Sequence, residues 1–233
     1  MTQSELSPAS PAPAPTLYRI RVAYAHHDGL RYVSHLEMHL VWERTLRRAG
    51  LPLAYSQGFS PHPRLHLASA LPLGFLSRCE LADFWLEYPV GAPAPDLEAL
   101  SRQIQSAAPP GLEIQRVELV SLNAPALQTQ VRSAEYLALP LDPLDPALLA
   151  ERVAQLLATD SLPRQRRGKA YDLRPLVEAV EVREGTGGRP ALFARLAARE
   201  GATGRPEELL DALGFDPTAF RVERVRLVLT ENR

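Results

Sequence analysis

Apolar and polar residues alternate from Leu17 onward, with Tyr18, Ile20, Val22 and Tyr24 at one set of positions and Arg19, Arg21 and Ala23 at the other. A period of two sends successive side chains to opposite faces, so this stretch predicts a half-buried strand with its arginines on the outer face. At Ser34 the period changes. Met38, Val41, Trp42, Thr45, Leu46 and Ala49 recur at three- and four-residue spacing and define one side of a helix. Glu37, Arg44, Arg47 and Arg48 lie opposite, and His35 and His39 sit at the edge of the apolar arc. Ser34 with Glu37 forms a capping box that satisfies backbone donors at the helix start, and Gly50 followed by Pro52 ends the helix.

Further along, residues 64–70 and 80–88 read as strands, 94–107 as a short helix through Leu97, Leu100 and Ile104, and 112–120 as a strand. The second half repeats this order. Residues 132–139 read as a strand, 146–158 as a helix with Pro146 in its first turn, and 161–174 as a basic, irregular connection. Strands at 176–183 and 192–198, a helix at 205–213 and a strand at 220–229 complete it. The expected class is α+β: two tandem ferredoxin-like (βαββαβ) domains with antiparallel sheets, at 16–122 and 128–233. Residues 1–15, made of Pro, Ala and Ser without periodicity, read as a disordered tail.

With 233 residues, 45% of them hydrophobic, the chain is large enough for two cores. Its one cysteine, Cys79, excludes a disulfide framework and any site needing several thiolates, an iron–sulfur cluster included. No apolar run reaches the roughly 18 residues of a membrane span, and the N-terminus lacks the order of a signal peptide, so a cytoplasmic protein without membrane contact is expected. A net charge of −1 gives no general attraction for nucleic acid, leaving only a local basic face. The chain holds 25 arginines and one lysine, a bias of the kind a GC-rich genome produces.

Three stretches carry candidate chemistry. In the loop 55–63 (YSQGFSPHP), Gly58 permits unusual backbone geometry, the prolines stiffen the path, and Gln57, Phe59 and His62 offer an amide, a ring and an imidazole. The loop reads either as a recognition element or as a packed corner. His62 is the candidate general acid or base, although no nucleophile accompanies it. His35 and His39 share a helix face, and His62 and His66 share a strand face. Without an HExxH motif no metal is expected, with His35 and His62 the residual candidates. The connection 162–175 gathers Arg164, Arg166, Arg167, Lys169 and Arg174 beside Tyr171, a set able to hold phosphates or stack on a base, or else to stand as a solvated surface. Lys169 falls in this densest basic cluster, where an ammonium differs chemically from a guanidinium. Arg44, Arg47 and Arg48 form a second patch, and both patches are expected to line one groove.

The segment Ser34–Gly74 also resembles a known family. Ser34, His35, Leu36 and Glu37 match its pattern, then Glu43, Arg44, Leu46–Pro52, Ala54–Phe59, Pro61–Pro63, Ala68, Ser69 and Pro72–Gly74, with weaker echoes at Tyr171–Pro175 and around 205–214. This pattern is similar to that of the radical SAM-linked proteins, which are fused to, or encoded beside, cobalamin-binding radical S-adenosylmethionine proteins. The resemblance implies an accessory protein without a cofactor of its own, acting as a non-catalytic partner or a substrate- or RNA-presenting module for a separately encoded radical SAM enzyme. A single cysteine agrees, because such a catalyst needs three for its cluster. His35 and His62 fall on the pattern, whereas His39 and His66 do not. Two alternatives stay open. One is an RNA-binding or RNA-processing protein, since tandem ferredoxin-like domains with a basic groove resemble CRISPR-associated endoribonucleases in which a loop histidine serves as base. The other is a protein-interaction scaffold.

Overall fold

The computed structural model describes residues 14–166 and 168–230, so most of the expected tail, and Arg167, lie outside the described residues. The first half runs β1 (Thr16–His26), α1 (His35–Arg48), β2 (Leu65–Leu67), β3 (Leu76–Tyr88), α2 (Leu97–Ala107) and β4 (Leu112–Val120). The second runs α3 (Leu127–Gln130), β5 (Val131–Pro140), α4 (Pro146–Leu157), β6 (Pro163–Arg166), β7 (Lys169–Asp172), β8 (Val177–Glu184), β9 (Pro190–Arg199), β10 (Ala202–Thr203), α5 (Pro206–Ala212) and β11 (Phe220–Leu229). It is a mixed α/β fold with a large, mostly antiparallel sheet.

The alternation in β1 does what its period requires on one side. Ile20, Val22 and Tyr24 are buried with Met38, Trp42 and Leu46 of α1, Phe84 and Leu86 of β3, and Leu100 and Ile104 of α2. The capping box forms: Ser34 Oγ accepts from the Glu37 amide, and Glu37 Oε2 accepts from the Ser34 amide at 2.8 Å. Asp96 caps α2 and Asp145 caps α4, which is why these helices begin where they do.

Strands of the first half lie in the order β4-β1-β3-β2 and those of the second in the order β11-β5-β9-β8, each neighbour antiparallel. A short parallel pairing, Glu223–Arg224 of β11 against Leu76–Ser77 of β3, fuses both sets into one nine-stranded sheet among the described residues.

Two expectations are corrected. The basic connection is not irregular: β6 and β7 form an antiparallel hairpin with Pro163 opposite Asp172 and Arg166 opposite Lys169. Asp172 Oδ1 clamps its ends, accepting from the Leu162 amide at 2.7 Å and the Arg174 amide at 2.9 Å. Nor do Arg19 and Arg21 face solvent; they are 2% and 8% exposed. The fully buried Asp83 of β3 accepts from both guanidiniums at 2.6–2.9 Å. Segment 121–130 crosses this face, and Arg19 donates to the Ala124 and Pro125 carbonyls while Arg21 donates to Gln130 Oε1. Charges leave water only when paired, and these are paired by Asp83 and covered by the segment that joins the halves.

A second buried pair sits where the halves meet. Arg224 of β11 donates to both oxygens of Glu80 at 2.9 and 3.0 Å, to Tyr136 Oη and to the Ala70 carbonyl. Burial opposes the Arg224 charge, but Glu80 and Tyr136 outweigh it and hold the guanidinium ionised.

Candidate functional site

Beyond α1 the chain folds back on itself as a narrow arm. Leu53 bridges Leu86 of β3, Tyr55 bridges Pro63, and the Ser56 and Arg64 amides donate to the His62 and Ala54 carbonyls, both at 2.8 Å. The tip, residues 57–61, projects into solvent. Gly58 has φ +144°, a region that side chains disfavour, and Phe59 is fully exposed. Its ring therefore fixes no corner. At the base of the arm the Arg47 guanidinium lies 5.9 Å from the Tyr55 ring centre while pairing with Glu43 at 2.8 Å. Arg64 lies 4.6 Å from the Trp85 ring centre, and His66 meets Trp85 edge-on at 5.1 Å.

A groove starts at this base. Its first cavity, about 430 Å³, is lined by Tyr55, Gln57, His62, Arg64 and His66. It shares Leu65 and His66 with a second cavity of about 580 Å³ between the edge strand β2 and the β9–β10 turn, whose walls include His35, His39, Gln128, Thr129, Arg199 and Thr203. Through Ser69, Ala70 and Thr203 this leads into a third, about 320 Å³, bounded by Tyr136, Arg205 and Arg224. His39 Nε2 lies 3.1 Å from the Leu65 carbonyl, which fixes that ring to the strand edge. Surrounding atoms and then neighbouring His39 lower the His35 pKa; desolvation and then Arg19 lower that of His66. Both imidazoles are consequently neutral near pH 7, able to stack and hydrogen-bond without carrying charge.

The two arginine patches expected to share one groove do not line these cavities: Arg44, Arg47 and Arg48, and Arg164, Arg166, Lys169 and Arg174, are absent from their walls. Arg44 is exposed on the outer side of α1, and Arg48 ties α1 to α2 by donating to the Ala107 carbonyl at 2.9 Å. In the β6–β7 hairpin, Arg164 approaches Asp211 at 3.5 Å, and Arg166 forks onto Glu208 at 2.6 and 3.0 Å. The Tyr171 hydroxyl also bonds Glu208. Burial, followed by that carboxylate, pushes its pKa up to about 12. Arg174 donates to the Thr159 carbonyl, while Lys169 is exposed at the start of β7. Arg164 and Arg166 thus hold the hairpin to α5. Arg166 also donates to the Thr203 carbonyl at 3.3 Å, where the hairpin meets the groove wall.

His39 and His66 lie outside the sequence pattern that marked His35 and His62, yet they join His35 at one cavity. Helical spacing signalled His39, but no local signal linked either residue to Arg199 or Thr203. Among the described residues no three His, Cys, Asp or Glu side chains gather closely enough to hold a metal ion. Burial and then Glu80 push the Cys79 thiol up to about 12. On the flank of α1 adjoining His35 and His39, Leu36 and Leu40 stand one turn apart and exposed; exposed Tyr32 lies four residues before Leu36, and exposed Leu73 precedes Gly74, whose amide donates to the Arg31 carbonyl.

Fold and site together define a mixed α/β protein with a long polar groove and an exposed apolar helix flank. Among the described residues no helix is long and apolar enough to cross a membrane. Residues 19–206 match the model of a family described as uncharacterized proteins conserved in bacteria (DUF2344), and the chain belongs to that family. No curated protein matches the chain.

Proposed function

We propose that this protein is a non-catalytic accessory module of the cytoplasm that docks a separately encoded radical SAM enzyme and presents that enzyme's substrate. One observation carries the reading: Leu36, 78% exposed, and Leu40, 47% exposed, place an apolar strip on α1 inside the segment that resembles the radical SAM-linked proteins. Exposed apolar groups clustered on one element favour a protein partner. The half-buried Cys79, whose thiol is held protonated, agrees with a protein that leaves cluster chemistry to its partner. We read each half as a ferredoxin-like unit, which the strand orders β4-β1-β3-β2 and β11-β5-β9-β8 support, with the boundary in residues 122–130.

The test is co-purification of the tagged chain from its native lysate. A bound iron–sulfur protein of the radical SAM class, lost on Leu36→Glu with Leu40→Glu, supports the reading. Capture that is indifferent to both substitutions, or capture of no cluster-bearing protein, refutes it. The alternative in which His62 is the base of an RNA-cleaving enzyme requires cleavage that His62→Ala abolishes while RNA binding persists.

A further inference from the structure

We propose that the groove from the arm to the junction of the halves binds a single-stranded polynucleotide, with one base stacked on Phe59 and the backbone following Arg64, Arg199 and Arg205. This names the substrate class of the accessory reading above and rests on it.

Three features point the same way. Phe59 is an aromatic ring held wholly in solvent at the tip of an arm whose backbone is pinned by the Tyr55–Pro63 bridge and two hydrogen bonds across it. A ring presented in this way is suited to an unstacked base, because every base offers a π-face and stacking needs no particular sequence. The charge of the groove is the second feature. Arg64, Arg199 and Arg205 line it beside Glu200; Arg64 makes no ion pair among the described residues, Arg199 and Arg205 meet Glu178 and Glu207 through single contacts of 3.5 and 3.4 Å, and Arg224 is neutralised by Glu80. Phosphates can accept from Arg64 and from the donors that a single contact leaves on the five-donor guanidiniums of Arg199 and Arg205, which an apolar peptide cannot do. Third, the walls between the arginines offer imidazole, hydroxyl and amide groups from His35, His66, Ser69, Thr129 and Gln128, the kind of donors and acceptors that read exposed base edges. Cavities of about 430 and 580 Å³ are of small-ligand size, fit for separate nucleotides rather than a duplex.

On α1, the side carrying His35 and His39 borders the groove while Leu36 and Leu40 stand on the adjoining exposed flank. Strand and enzyme would then meet across one helix.

The experiment is fluorescence anisotropy of the full-length protein with labelled single strands of about sixteen nucleotides, the upper end of site sizes for strand-binding domains. RNA and DNA versions run in parallel, with a duplex as comparison. Single strands should bind more tightly than the duplex, with a salt slope of about −2 for three neutralised phosphates. RNA ahead of DNA, or both alike, supports the proposal, the first outcome adding a contact to the 2′-hydroxyl. Phe59→Ala should weaken binding about 5- to 150-fold, Phe59→Tyr should retain it, and Arg64→Ala should flatten the slope by about 0.7. Because Phe59 touches nothing, its variants should melt with the parent. Leu36→Glu should lose the enzyme and keep the strand, which separates this proposal from the accessory reading. Absent binding, a duplex bound as tightly as single strands, or indifference to Phe59→Ala overturns the groove. So does a Phe59→Ala protein that loses the enzyme when no strand binds at all, since the arm is then a protein contact.

Discussion

Replacing Asp83 with alanine removes the carboxylate that, among the described residues, holds Arg19 and Arg21 on the covered face of the sheet. Four hydrogen bonds of 2.6–2.9 Å disappear, and two guanidiniums 2% and 8% exposed are left with carbonyls and one amide for company. Breaking a buried pair by deleting one partner costs about 3–5 kcal/mol, since the surviving charge has neither water nor a counterion. For a chain of this length each kcal/mol moves the melting point about 2–4 °C, so a fall of roughly 6–20 °C is expected. Urea titration of Asp83→Ala against wild type measures it. The combined variant Arg19→Met, Arg21→Met, Asp83→Leu should lose less than Asp83→Ala alone, because no bare charge remains. Residues 121–130 are fastened by the same arginines and carry Gln128 and Thr129 to the groove wall, so Asp83→Ala should also loosen whatever the groove holds. A loss below about 1 kcal/mol would refute the argument that this face is a desolvated ion cluster.

Other outcomes follow from single sites. Burial lowers the pKa of His26, which is 3% exposed, and those of His35 and His66 are lowered too, so the folded state binds fewer protons than the unfolded chain once pH falls through about 6.5. Stability is therefore fully present above that pH and declines below it; a melting point unchanged on acidification through this range would contradict the burial of His26. Gly29→Ala would place a Cβ 2.7 Å from the Pro110 carbonyl oxygen, a backbone atom that cannot swing aside, and should cost roughly 1–3 kcal/mol in urea titration. An unchanged midpoint would show the turn to be loose. With its thiol pushed up to about 12, Cys79 should resist a maleimide at neutral pH in the native protein and react fully in denaturant. Rapid native labelling would disprove its protected position.

Much of the fold is written in local periodicity. The capping box at Ser34, the 3.6-residue apolar arc of α1 and the alternation of β1 each act over a few residues, and each forms as the pattern requires. The second face of the sheet is different. Arg19 and Arg21 look like solvent-facing residues because charges at alternate positions ordinarily meet water; their burial depends on Asp83, more than sixty residues away, and on a segment that crosses later. The continuous burial of Glu80–Leu86 in β3 is the trace of that cover, and a lone Asp in such a run was its sequence signal. In the basic stretch, Gly168 at φ +77° marks the turn of a hairpin, but the run of arginines suggested an open loop because the acids that pair with Arg166 and Arg164, Glu208 and Asp211, lie on a later helix. The arm could be read as recognition or packing, and the exposure of Phe59 removes the reading in which its ring packs a corner. The groove was not legible at all as a whole: β2, the β9–β10 turn and α3 contribute its walls, and only the join of the two halves brings them together.

The proposed role requires that this protein carry a strand to the radical SAM enzyme proposed as its partner. The direct measurement is retention of labelled single-stranded RNA by the immobilised radical SAM enzyme, with and without this chain. Retention that requires the chain, and that fails with either Phe59→Ala or Leu36→Glu, is the expected result. An enzyme that holds the RNA equally well alone would contradict it.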